Sequence, residues 1–310
     1  MSAKSFKLTV LLFLAAWIML MFFVGSKELE WSIALYNEQH SAFGRFFEIY
    51  GEHPAFIVLL AAGSLLYRTS YYTLGKKQML MRLAGGLSST AGGFAVGYFT
   101  LARQFDIKGL EAVPFSILIG AALIIAAQLL LRRVSVKTMQ TYTLAAWAGI
   151  AIVVTEMILV NVLKISWGRL RFRNMNGDYS LYTSWFLPQG LQQHGIVSQH
   201  HKSFPSGHSA NGWTMLAWAL FMPMKSSWRT FALAAAVGWG LCTSYSRIIM
   251  GDHFATDVLF GAFLTIISMI FWCKWLHVPL YPLQNGSSAI WHGDASSEAA
   301  ASAEQNEKLY

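Results

Sequence analysis

Long apolar runs alternate with short polar segments along the chain, and the runs have the length of membrane helices rather than of strands. They cover residues 6–24, 54–67, 83–101, 114–131, 139–163, 208–224, 230–250 and 254–276. A helix needs about 20 apolar residues to cross a hydrocarbon core about 30 Å thick. The pattern therefore predicts an all-α, polytopic transmembrane helical bundle of about eight spans. Two runs depart from the ideal: 54–67 is short unless it continues past Arg68, and 83–101 is weakly hydrophobic and rich in glycine and serine. Small residues of that kind predict close helix packing. The segment between the first two runs contains "SAFGRFFEIYGEHP", mixing aromatic and charged residues, and reads either as an amphipathic helix along the outer interface or as a plain connector.

Composition agrees with this picture. Of 310 residues 55% are hydrophobic and only 12% charged, and the mean hydropathy is +0.43. The formal net charge of +8 does not indicate a nucleic-acid partner, because the basic residues lie in short loops rather than on one solvated face. They point instead to membrane lipids or an anionic ligand. The first run follows Lys4 and Lys7 as a signal sequence would, yet it is long and lacks a small-x-small cleavage site, so it is read as an uncleaved span. Cys242 and Cys273 fall in or beside spans, where packing is a better role than a disulfide.

Lys4 and Lys7, then Arg68, Lys76, Lys77 and Arg82, then Arg132, Arg133 and Lys137, then Lys225 and Arg229 occupy alternate loops. The positive-inside rule makes those loops cytoplasmic and puts both termini inside. The expected organisation is amino-terminal spans with an outer interfacial segment over 1–138, a second group of spans over 139–276, and a polar, disordered cytoplasmic tail over 277–310.

With this topology three polar clusters meet on the non-cytoplasmic side. Lys164 and Arg171 follow the fifth run in "KISWGRLRFRN", Pro205-Ser206-Gly207-His208 opens the sixth, and Ser246, Arg247, His253 and Asp257 lie between the seventh and eighth. Ser206 is a good helix cap and Gly207 permits close backbone approach. The helix start aims free N–H groups and its positive dipole end outward, beside His208. His253 and Asp257 are spaced i, i+4, so that on one helix the carboxylate could take one ring N–H and leave the other nitrogen as a nucleophile. Lys164, Arg171 and Arg247 supply fixed positive charge suited to phosphate oxygens. Two histidines, a carboxylate and three cations make a self-sufficient phosphoryl-transfer site, with no cofactor and no metal required.

These residues resemble the type 2 phosphatidic acid phosphatase superfamily, whose signature is K-x6-RP, PSGH and SR-x5-H-x3-D. The second and third parts are complete, while in the first Phe172 stands where the pattern has proline. The resemblance implies that His253 attacks phosphorus and becomes phosphohistidine, that Asp257 orients it, and that His208 protonates the leaving oxygen. It further implies that Lys164, Arg171, Ser206, Gly207 and Arg247 hold the phosphate. It covers Lys164 to Asp257 by motif and implies a six-span phosphatase core, to which this chain adds a helical hairpin.

Other polar residues have plainer readings. Arg169 and Arg173 are read as loop cations or lipid head-group contacts. His194, His200 and His201 lack a carboxylate or cysteine at ligand spacing and read as a loop. Glu156, inside an apolar run, is expected to pair with a neighbouring span or shape the pocket. The leading expectation is an integral-membrane, metal-independent phosphatase of a lipid phosphate or diphosphate in a bacterial inner membrane. Candidate substrates are undecaprenyl diphosphate, phosphatidate, phosphatidylglycerol phosphate and a lipid A phosphate. The alternatives are a lipid-phosphate transporter or flippase that does not cleave, and a phosphotransferase to an acceptor other than water. Binding alone needs only cations, whereas the two histidines and Asp257 are what bond cleavage needs.

Overall fold

The computed structural model describes residues 3–37, 41–190 and 198–280. Among them there are helices and turns but no strand. The helices are α1 (Ala3–Gly25), α2 (Glu28–Leu35), α3 (Ala42–Tyr50), α4 (His53–Thr69), α5 (Gly75–Gln104), α6 (Ala112–Leu131), α7 (Val136–Thr141), α8 (Thr143–Trp167), α9 (Gly207–Trp213), α10 (Ser227–Ile249) and α11 (Ala255–Trp275), and α9 continues as a 3₁₀ stretch over Thr214–Phe221. Each of the eight apolar runs thus forms a helical segment. Five segments are long and apolar enough to cross a membrane by length and composition alone: Lys7–Gly25, Ala42–Tyr72, Gly109–Leu131, Thr143–Met175 and Ala255–Trp275. Of the expected tail only 277–280 are described; residues 281–310 and His194 lie outside the described residues.

The main core lies between α4, α8, the 3₁₀ stretch and α11, and is filled by Phe56, Leu66, Ile152, Val153, Ala217 and Cys273 among others. Helix α5, too polar to pass a hydropathy criterion, earns its place by packing. A Cβ on Gly63 of α4 would lie 2.5 Å from Ser89 N, and one on Gly85 of α5 would lie 2.6 Å from Tyr67 N. The α4 and α5 backbones therefore touch, and a side chain at either glycine would force them apart. Gly93 and Gly120 meet in the same way between α5 and α6, at 2.9–3.4 Å. Hydropathy was traded for contact. Cys242 and Cys273 are free thiols.

The segment between α1 and α4 forms two helices rather than a plain connector. Ser41 caps α3 by accepting Gly44 N–H at 2.8 Å, and α3 buries Phe47 and Ile49. Two arginines tie α3 to the end of α5: Arg45 Nη2 donates to Arg103 O at 2.6 Å and Arg103 Nη1 to Glu48 O at 3.0 Å. At the opposite end, Arg229 is not a free loop cation. It is buried and donates to the carbonyls of Ala219, Met222 and Leu280.

The α4–α5 contact makes a paired prediction. Gly85→Ala should cost about 1–3 kcal/mol of stability through overpacking. Gly86→Ala, whose Cβ would meet only Tyr67 Cδ2 at 3.8 Å, should be near neutral. Thermal unfolding of the two variants in detergent checks this, and equal effects would contradict backbone contact as the reason for the glycines.

Candidate functional site

The carboxyl ends of α5, α8 and α10 and the amino ends of α4, α9 and α11 meet at one end of the bundle, and every motif residue is there. Backbone hydrogen bonds lace the three motif segments together. Arg171 N–H donates to His200 O at 2.9 Å, Ser203 N–H to Arg169 O at 3.0 Å, Arg173 N–H to Gly251 O at 3.0 Å and Ser206 N–H to Asp257 O at 3.0 Å. Gly261 of α11 allows the last approach, since a Cβ there would sit 2.5 Å from Ser206 O. Ser206 caps α9 as expected, its Oγ accepting Ser209 N–H at 3.2 Å.

His253 lies just before α11 rather than on it, so it and Asp257 do not share a helical face. Its Nδ1 is 2.5 Å from Ser203 O and 3.8 Å from Asp257 Oδ2. A carbonyl can only accept, so Nδ1 carries the proton and Nε2 keeps its lone pair. The expected direct Asp257–His253 hydrogen bond is thus replaced by one to a main-chain carbonyl. The reason is competition: Asp257 Oδ2 already accepts Ser203 Oγ–H at 2.5 Å and Phe254 N–H at 2.8 Å. Burial is the main cause that pushes the His253 imidazole down to about 4; the cations Lys164 and Arg171 add to it, against the opposing pull of Asp257. The ring is therefore neutral at physiological pH.

Asp257 Oδ1 accepts Arg169 Nη1–H at 2.6 Å, and Arg169 Nη2 donates to Glu28 Oε1 at 2.6 Å. Glu28, on α2, also accepts the Tyr182 hydroxyl at 2.8 Å and Thr256 N–H at 3.0 Å. All three charged groups are buried, with Arg169 only 1% exposed and stacked over Phe254. Arg169 is therefore no lipid head-group contact but the cation shared by two buried carboxylates. Burial raises the Tyr182 phenol, and the Glu28 charge beside it raises it further.

Asp252 organises the remaining cations. Its Oδ1 meets Arg171 Nη1 at 2.7 Å and Arg173 Nη2 at 3.0 Å, while Oδ2 meets Arg247 Nη1 at 3.1 Å. Arg173, read from the sequence as a loop cation or lipid contact, is ion-paired to Asp252 and remains partly exposed. Burial alone raises the Asp252 carboxyl, but His253 and the three arginines outweigh it and hold the group below the usual carboxylate range. Lys164 Nζ donates to Lys202 O at 2.7 Å, and a Cβ on Gly207 would stand 3.8 Å from Lys164 Cε. Lys164 and Arg171 are within electrostatic reach of His253, and Arg247 of His208. His208 Nε2 is 3.3 Å from Glu48 O and 3.6 Å from Glu52 Oε2.

Glu28, Glu52, Arg103, Ser203 and Asp252 were not singled out from the sequence. A carboxylate before Pro54 at a helix start and a charge beside His253 were the only local signals. Glu156 is buried on α8 with Oε1 unpartnered among the described residues, so the expected pairing with a neighbouring span is absent there. No cluster of three or more His, Cys, Asp or Glu among the described residues is placed to hold a metal ion.

Fold and site define an all-helical membrane protein with buried histidines and cations gathered at one end of its bundle, an arrangement that suits phosphoryl groups. Residues 145–279, which carry the two complete motifs and the first without its proline, match the family model described as the PAP2 superfamily. No curated protein matches the chain, and no solved structure does. Members of the superfamily are generally phosphatases, with lipid phosphates among their substrates, which sets the coarse class of this chain.

The Glu28–Arg169–Asp257 chain predicts that Arg169→Met, which leaves two buried carboxylates without their cation, costs about 3–5 kcal/mol. Thermal unfolding in detergent measures it. A variant as stable as wild type would show that this ion pair does not hold the site together.

Proposed function

We propose that the protein is an integral-membrane phosphatase of a lipid phosphate or diphosphate, undecaprenyl diphosphate or a phospholipid phosphate, working through a phosphohistidine. The observation that carries this reading is the His253 Nδ1–H bond to Ser203 O, which presents a neutral Nε2 with Lys164 and Arg171 nearby. Nε2 attacks phosphorus, and the bond to the leaving oxygen breaks as that oxygen takes a proton from His208. Lys164, Arg171, Arg247, Ser206 and the backbone at Gly207 hold the non-bridging oxygens and stabilise their charge in the transition state. Asp257 works through Ser203 and the start of α11, which it fixes in place. Water then attacks the phosphohistidine with His208 as base, and phosphate leaves.

The site's place at the end of the helices supports a substrate whose tail stays in the bilayer while its head group enters. The basic turns after α4, α6 and the 3₁₀ stretch occupy the other end. By the positive-inside rule this supports a site on the non-cytoplasmic face.

The test is phosphate release by detergent-purified protein in chelator from undecaprenyl diphosphate, phosphatidate, phosphatidylglycerol phosphate and lipid A. At least one lipid should be hydrolysed, and His253→Ala should lose about 10³-fold or more of that rate. Binding without release across the panel would favour a transporter or a transferase to another acceptor. A pH series separates the histidines. Since the His253 nucleophile must be neutral and titrates near pH 4, the limb it sets on single-turnover phosphoryl transfer should fall only below about pH 5. A nucleophile limb centred on the ordinary imidazole value near 6.5 would contradict the buried, neutral His253.

A further inference from the structure

Glu52 is the residue before α4, outside the segment that matches the superfamily and outside all three motifs. It is nonetheless buried in the site. Its Oε1 accepts Asn211 Nδ2–H at 3.0 Å, from the first turns of α9, and its Oε2 forms an ion pair with Arg103 of α5. The same Oε2 is 3.6 Å from His208 Nε2, and a Cβ on Gly207 would come within 4.0 Å of Oε1. Three helices therefore converge on one carboxylate beside His208. A structural ion pair would have needed only Arg103, and it would have no reason to lie against the PSGH turn.

We infer that Glu52 is a positioning residue for His208, holding the ring by its Nε2 side and stabilising the imidazolium that acts as the acid. The inference rests on the phosphatase reading above. With Nε2–H directed at Glu48 O and the Glu52 carboxylate, Nδ1–H is the ring's other donor. That proton passes to the leaving oxygen as the P–O bond breaks and the His253 Nε2–P bond forms, leaving His208 neutral with Nε2–H still held. In the hydrolysis step Nδ1 takes a proton from water as its oxygen bonds to phosphorus and the His253 Nε2–P bond breaks, so phosphate leaves, His253 Nε2 regains its lone pair and the imidazolium is restored beside Glu52. Burial disfavours the protonated ring, as do the Arg247 and Arg103 charges, and Glu52 is the main charge that opposes them. Arg103 and Asn211 restrain the carboxylate, so the α4–α5 hairpin contributes to proton transfer although it carries no motif.

The role separates from a merely structural one by leaving group. Cleavage of dioctanoyl phosphatidate expels a poor alkoxide that needs a proton, whereas 4-nitrophenyl phosphate expels a phenolate that leaves without one. Glu52→Gln, nearly the same shape, should lower the single-turnover rate of phosphoenzyme formation from the alkyl phosphate about 10²-fold with substrate binding within about threefold, and lower the first-turnover burst of 4-nitrophenolate by less than about threefold. His208→Ala should show the same split, and Glu52→Asp should recover part of the alkyl phosphate rate. If Glu52→Gln is aggregated on size exclusion, Arg103→Lys and Glu52→Asp carry the comparison, with the same split expected at smaller size. Equal loss on both substrates, or loss on neither, overturns the inference while leaving the phosphatase reading intact. Wild-type protein that hydrolyses neither substrate, or a His253→Ala variant that retains the activity, defeats that reading and this inference with it.

Discussion

A carboxylate buried in a helical bundle stays charged only if donors surround it, and Asp257 is the place where this constraint shapes the molecule. Its oxygens accept Arg169, Ser203 and Phe254, and its main-chain carbonyl accepts Ser206 N–H. The four donors come from three parts of the chain: the turn after α8, the loop before α9, and the start of α11. Satisfying one buried charge therefore registers three sequence motifs against one another. Arg169 extends the demand to Glu28, which draws in α2. The loop that reaches Asp257 through Ser203 Oγ also supplies Ser203 O to His253, so the His253 tautomer follows from the same packing.

The site is built as two charge systems that share the motif turns. One, Glu28–Arg169–Asp257, is fully buried and ties α2, the turn after α8 and the start of α11 together. The other, Asp252 with Arg171, Arg173 and Arg247, keeps mutually repelling cations together around one carboxylate. A buried pair is costly unless its remaining lone pairs and protons are also matched; the first system meets that condition with backbone and hydroxyl partners, whereas in the second Arg171 Nε is buried with no partner among the described residues.

Much of this was legible in the sequence. Apolar runs of helix length located all eight long helical segments, and the glycine–serine run of α5 signalled close packing before the Gly63 and Gly85 contacts were seen. The motif residues were readable because their chemistry is carried by type and spacing. The residues that were missed act through partners distant in sequence: Glu28 meets Arg169 across 141 positions and Glu52 meets Asn211 across 159. No local period records such a pairing. The i, i+4 spacing of His253 and Asp257 misled for a related reason. It assumed one helix, whereas the chain turns into α11 only after His253, and Asp257 serves that turn instead.

The central claim is covalent chemistry at one nitrogen of His253, and the most direct measurement is to trap it. Protein incubated briefly with a ³²P-labelled lipid phosphate substrate, quenched in alkali and digested, should carry an acid-labile, base-stable phosphoryl group on the peptide that contains His253. Label on another residue, or full turnover with no phosphoenzyme under rapid quench, would contradict the account.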